Sequence, residues 1–227
     1  MTGFPLVLMA GMSAALKSGA APSSKVCILG GGLQGCAAAY FLKKRGFEDV
    51  TVVERTAVAA AASGKGGGFL ARGWGSGPTA ALHEQSFDLH EALAGDLGLE
   101  SYRKIRTVQV TGEVGLREWP PVERASEAPK RSPDAPGWLD GEDTTARLMD
   151  PNTAQVVPGE LCEKLFDRSG AALVLGAARG LETARDGDDG DVRVTGVRVE
   201  AADGGDRVVA CDVVVCAMGA SSAGAAK

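Results

Sequence analysis

The chain has no apolar run long enough to cross a membrane as a helix, which needs roughly 20 residues; Phe4 to Met12 is about half that. It has no basic run longer than Lys43–Arg45 and carries a net charge of −5, which argues against nucleic acid and anionic membrane surfaces as partners. Its five cysteines (Cys27, Cys36, Cys162, Cys211 and Cys216) include no C-x-x-C pair. Cys211 and Cys216 fall on opposite faces of an expected strand and so cannot share a metal. Reduced thiols fit an intracellular, cytoplasmic protein. His83 and His90 have no third histidine to complete a metal site, and their spacing is not the i, i+4 of helical metal ligands. The 32 glycines follow no period, which excludes collagen-like and repeat architectures. Residues 1–24 contain no acid and no arginine and read as a disordered leader; a targeting segment for an organelle is the alternative.

What the sequence does contain is concentrated between Val26 and Glu54. Val26 to Leu29 reads as a buried parallel strand. Gly30, Gly32 and Gly35 then form G-x-G-x-x-G where that strand must turn into a helix. The helix is expected from Leu33 to about Arg45, with Lys43, Lys44 and Arg45 at its negative end and Gly46 as its stop. A second strand, Val50 to Val53, closes on Glu54. In this arrangement Gly30 permits the tight turn, Gly32 lets a pyrophosphate approach the backbone, and Gly35 allows helix to pack on strand. The helix start offers N–H groups to phosphate, and Glu54 is placed for the ribose hydroxyls of an adenosine.

Downstream, Ala57 to Ala62 suggests a short helical or loop passage. Ser63 to Gly68 is too glycine-rich for a helix or strand interior. It invites a ligand onto bare backbone. A helix is expected from Pro78 to Leu97, with Leu82, Phe87, Leu89 and Leu93 as its apolar stripe. Tyr102 to Thr111 follows as a strand. Residues 119–136, rich in proline and charge, read as an exposed, poorly ordered insertion. Pro158 starts a helix with Leu161, Leu165 and Phe166 inside and Gly170 at its end; a strand, Ala171 to Leu175, comes next. Strands around two acidic turns form an antiparallel meander. The first turn, Asp186 to Asp191, lacks the acid a calcium loop needs at its twelfth position, and a solvated turn is the reading. Val213 to Gly219 reads as a buried strand ending in Ala-x-Gly.

GGGLQG, Glu54 and ASGKGGGFLA together resemble the D-amino-acid oxidase and glycine oxidase group of FAD-dependent oxidoreductases, over roughly Lys25 to Ala220. The resemblance implies a Rossmann-like α/β FAD-binding domain with a three-stranded β-meander, plus part of an α+β substrate domain. It divides the chain into a first FAD-binding segment (25–110), a partial substrate domain with the insertion (111–154) and a second FAD-binding segment (155–227). It implies Gly30, Gly32, Leu33, Gln34, Gly35, Glu54 and Arg55 on the ADP half of FAD. Ser63, Gly64 and Lys65 fall on the phosphate side, with Lys65 as a solvated loop lysine the alternative. Gly67, Gly68 and Phe69 lie near the flavin, and the main chain of Ala178 meets the adenine. Ala217 and Gly219 cross near the central phosphate and ribitol, with Met218 in place of a hydroxyl residue. Arg72 and Gly73 depart from the acid or small polar residue expected before Trp74. No catalytic residue and no metal site is assigned. The implied reaction is oxidation of a C–N bond of an amino acid or amine, a small-molecule substrate, by hydride transfer to flavin. The other readings are a truncated, non-catalytic nucleotide-binding protein with a regulatory or scaffolding role, and an NAD-dependent dehydrogenase.

Overall fold

The four residues Val26–Leu29 contain no alternation because both of their faces are covered. They form β1, at the centre of a parallel sheet. Val26 and Ile28 point to one side, into a core with Ala38, Ala39, Leu42, Phe47, Val50 and Val52. Cys27 and Leu29 point to the other, into a core with Val53, Val197, Val199 and Cys211. The computed structural model describes residues 20–111, 145–185, 192–201 and 204–226. The leader up to residue 19, the proline-rich stretch and the turn Asp186 to Asp191 lie outside the described residues.

The chain divides into two compact units. The first comprises residues up to Gly68, His90–Ser101 and Val156 onward. Its parallel sheet is ordered β10-β1-β2-β6, from β2 (Val50–Glu54), β6 (Ala172–Leu175) and β10 (Val213–Cys216). One face carries α1 (Leu33–Lys44) and α3 (Pro158–Ser169), which pack on each other. The other face carries an antiparallel meander ordered β7-β8-β9: Ala177–Arg185, Val192–Glu200 and Asp206–Ala210. The second unit, Phe69–Leu89 with Tyr102–Gln155, holds an antiparallel sheet ordered β3-β5-β4: Phe69–Ala71, Thr145–Gln155 and Arg103–Thr111.

Local chemistry explains most boundaries. α1 ends in Lys43 and Lys44, and Gly46 follows at φ +90. α3 begins with Pro158 and stops at Gly170 in the left-handed region, φ +63. Leu161, Leu165 and the unanticipated Cys162 fill its buried face. Three expectations need correcting. Ala62–Lys65 forms a 3-10 turn despite its glycine, because i to i+3 bonding fixes few residues and Gly64 N–H reaches Ala61 O at 3.2 Å. The helix expected from Pro78 starts as a 3-10 turn, Gly77–Thr79, and becomes α2 only at Ala80–Leu97; Leu82 is exposed, whereas Phe87, Leu93, Ala94 and Leu97 are buried. β10 is a half-buried edge strand rather than a buried one, since among the described residues it pairs only with β1.

The start of α3 is latched to the segment that precedes β4. The Glu160 carboxylate accepts hydrogen bonds from Glu100 N (2.7 Å), Ser101 N (3.1 Å) and the Ser101 hydroxyl, and Ser101 Oγ accepts one from Val157 N at 2.8 Å. Partial burial would raise the Glu160 pKa. The Ser101 hydroxyl and the two amides outweigh it and hold the carboxyl below its ordinary range. A carboxyl depressed in the folded state stabilises above the unfolded value of about 4.3 and loses that contribution as pH falls through the folded value. Glu160→Gln is therefore expected to cost about 1 kcal/mol at pH 7, discounting for its exposure. The gap in melting temperature from the parent should close as pH falls below 4, read by thermal denaturation across a pH series.

Candidate functional site

The carboxyl ends of β1, β2, β6 and β10 are tied together by backbone bonds. Gly30 N donates to Val53 O (2.8 Å), Ala217 N to Leu29 O (2.8 Å) and Gly176 N to Glu54 O (2.9 Å). The G-x-G-x-x-G turn sits on this platform. Gly30 has φ +106, and a Cβ there would lie 2.5 Å from the Ala217 carbonyl oxygen. A Cβ on Gly35 would overlap the Gly30 carbonyl oxygen, so α1 can approach β1 only with glycine there. Gly32 is the N-cap of α1 with extended backbone and no side-chain cap; a Cβ on it would meet only Ser63, with Oγ at 2.9 Å. No acid occupies the first turn of α1. Its amides carry partial positive charge and lack intrahelical acceptors. Leu33 N–H, the first of them, donates to Ser63 Oγ at 3.0 Å. Gln34 lies exposed on the same turn.

Gly31 is the hub of the turn. Its N–H donates to Glu54 Oε2 (2.8 Å), and its carbonyl accepts from Ala59 N (2.9 Å) and the Cys36 thiol (3.3 Å). Glu54 Oε1 accepts from Thr56 N (3.0 Å) and Thr56 Oγ1 (3.3 Å). Gly31, Thr56 and Cys36 were invisible to motif reasoning, although a hydroxyl residue two places beyond the acid is a readable signal. Arg55 and Lys65 are exposed. Gly64 packs against the backbone of Ala59, which is buried in the left-handed region at φ +58. A Cβ on Gly67 would meet nothing within 4 Å. Gly68, at φ +69, accepts from Val156 N at 3.0 Å. Phe69 opens β3 in the second unit, where its ring stacks obliquely on Trp74 at 5.4 Å.

Ala178 lies on β7 opposite Val199 and packs against the meander-side core. Ala217 and Gly219 follow β10, with Gly219 at φ +56, and the Met218 side chain packs into that same core. The expected residues at Gly30, Gly32, Leu33, Gly35, Glu54, Ser63, Gly64 and Ala217 are thus brought together by hydrogen bonds or close approaches. Arg72, in the second unit, pairs with Asp88 (3.0 Å) and Glu84 (3.8 Å).

Four cysteines are buried, and all five are free. The neighbouring Cys211 thiol and burial push the Cys27 thiol well above the ordinary range, and Cys162 and burial do the same to Cys36. Among the described residues no group of three or more His, Cys, Asp or Glu side chains could hold a metal, and no helix is long and apolar enough to cross a membrane.

Residues 25–227 match the family described as DAO, FAD dependent oxidoreductase. The chain belongs to that family. A Schizosaccharomyces pombe relative, "Putative oxidoreductase C1F5.03c", is 24% identical over 77% of this chain and 46% of its own length. Among solved structures, glycine oxidase from Bacillus cereus matches with a TM-score of 0.59 and 21% identity over 88% of this chain and 56% of that one. Fructosyl amine: oxygen oxidoreductase (Amadoriase I) from Aspergillus fumigatus matches with a TM-score of 0.60 and 20% identity, over 91% and 51%. The two structures confirm the mixed α/β fold expected for an FAD-binding domain. The chain spans about half the length of these proteins. Membership of an FAD-dependent family makes FAD the cofactor and sets the NAD reading aside. The local structure fits it: an uncapped helix start, a glycine cradle that a Cβ would fill, and a carboxylate held at the end of β2.

Proposed function

We propose that this chain forms the FAD-holding part of an oxidoreductase that acts on the C–N bond of an amino acid or amine. The observation that carries the reading is the Gly31–Glu54 bond, which places a carboxylate beside the uncapped start of α1. Gly30, Gly32, Leu33, Gln34 and Gly35 would receive the diphosphate, their first-turn amides supplying donors and partial positive charge. Glu54 and Arg55 would take the adenosine ribose. Ser63 would release Leu33 N–H to the phosphate side, with Gly64 and Lys65 beside it. Gly67, Gly68 and Phe69 would lie toward the flavin, the Ala178 main chain toward the adenine, and Ala217 and Gly219 toward the ribitol. When bound, FAD supplies the hydride-accepting centre, while the protein binds and aligns the substrate. The substrate class is supported by neighbours whose names specify glycine and a fructosyl amine.

The experiment is flavin uptake. Purified parent protein is expected to carry FAD, and Gly32→Trp and Glu54→Leu to bind it at least tenfold more weakly, read by flavin fluorescence quenching. A parent without FAD affinity, or variants that bind as tightly as the parent, would overturn the assignment. A second reading, nucleotide binding without oxidation, is favoured by Arg72, whose charge is matched by Asp88 and Glu84 rather than offered to a substrate carboxylate. Anaerobic bleaching of the bound flavin by amino acids separates the two.

A further inference from the structure

The Glu54 carboxylate is already heavily engaged before any nucleotide reaches it. Its stem lies against Gly31, where a Cβ would come within 3.2 Å of Glu54 Cβ and Cγ. Oε2 accepts one bond, from Gly31 N, and Oε1 accepts two, from Thr56 N and Thr56 Oγ1. A carboxylate offers about four lone-pair sites. Three are thus occupied, and the opening that remains is on Oε2. A ribose presents two adjacent hydroxyl groups, and one opening receives only one of them. The Thr56 hydroxyl supplies the other acceptor. It spends its proton on Oε1 and keeps two lone pairs of its own. Thr56 is exposed, so those lone pairs are open to a ligand.

We infer that Thr56 is a nucleotide-binding residue, its Oγ1 accepting one hydroxyl of the adenosine ribose while Glu54 Oε2 accepts the other. The inference rests on the proposed FAD site and deepens it. It makes the ribose reader a carboxylate–hydroxyl pair rather than a carboxylate alone. The ligand class is an adenine nucleotide with both ribose hydroxyls free.

The test measures binding of FAD, ADP, 2′-deoxy-ADP and 3′-deoxy-ADP to the parent, Thr56→Val, Thr56→Ser and Glu54→Leu proteins, the nucleotides by competition with FAD. Thr56→Val is expected to weaken FAD and ADP about three- to tenfold, the range of one neutral hydrogen bond. Thr56→Ser should stay within about twofold of the parent, since it keeps the hydroxyl. For one deoxy-ADP, the one lacking the hydroxyl that Thr56 receives, Thr56→Val should change nothing. Three outcomes overturn the inference: Thr56→Val binding FAD as the parent does while Glu54→Leu has lost it; Thr56→Val weakening both deoxy-nucleotides as much as ADP; or Thr56→Ser failing to restore affinity. If Glu54→Leu also binds FAD normally, the FAD site itself is misplaced, an outcome distinct from the failure of Thr56 alone.

Discussion

Gly35→Ala is expected to cripple the first unit, lowering its unfolding free energy by about 3 kcal/mol or more and removing flavin affinity with it. A single methyl group there would drive into the Gly30 carbonyl oxygen, a backbone atom that cannot swing aside. Relief requires α1 to lift from β1 or Gly30 to leave its turn. The second movement breaks the bond from Gly30 N to Val53 O and shifts Gly31, which carries Glu54. Gly95→Ala is the matching control. Gly95 lies within α2, where a Cβ would meet nothing within 4 Å, so that change should raise stability by about 0.5–1 kcal/mol. Urea denaturation of both variants reads the contrast. A Gly35→Ala protein as stable as its parent would mean that α1 does not rest on β1 as described.

Leu165→Ala is expected to cost about 2–5 kcal/mol, the range for removing a buried leucine. Leu165 is 1% exposed on the inner face of α3, the helix packed against α1. Both helices hold the same face of the parallel sheet, and Phe166 reaches that core from the same turn. Leu173→Ala, on the edge strand β6, removes a side chain already 39% exposed and should cost well under half as much. Melting temperatures of the two variants rank the sites, and equal losses would contradict the burial described here.

The parts of the fold legible in the sequence were those set by neighbours along the chain. The run Val26 to Leu29, the basic last turn of α1, Pro158 at the head of α3 and Gly170 at its tail each act within a turn or two. What escaped depends on partners remote in sequence. Nothing local says that β10 pairs with β1, leaving β6 and β10 as the sheet edges. Leu82 has the spacing of a buried residue and is exposed because the stripe that packs lies further along α2. The candidate site divides the same way. Gly30, Gly32, Gly35 and Glu54 follow from spacing, whereas the use of Ser63 to meet Leu33 N–H and of Thr56 to hold Glu54 follows only from the folded turn.

The strand order also dictates a timetable during synthesis. β1 leaves the ribosome long before one of its two neighbours, β10. Until Val213–Cys216 emerges, the most apolar strand of the sheet waits with a bare flank, a template for mispairing between nascent chains. Yield of folded protein should therefore respond to chaperone supply and growth temperature more than to any surface charge.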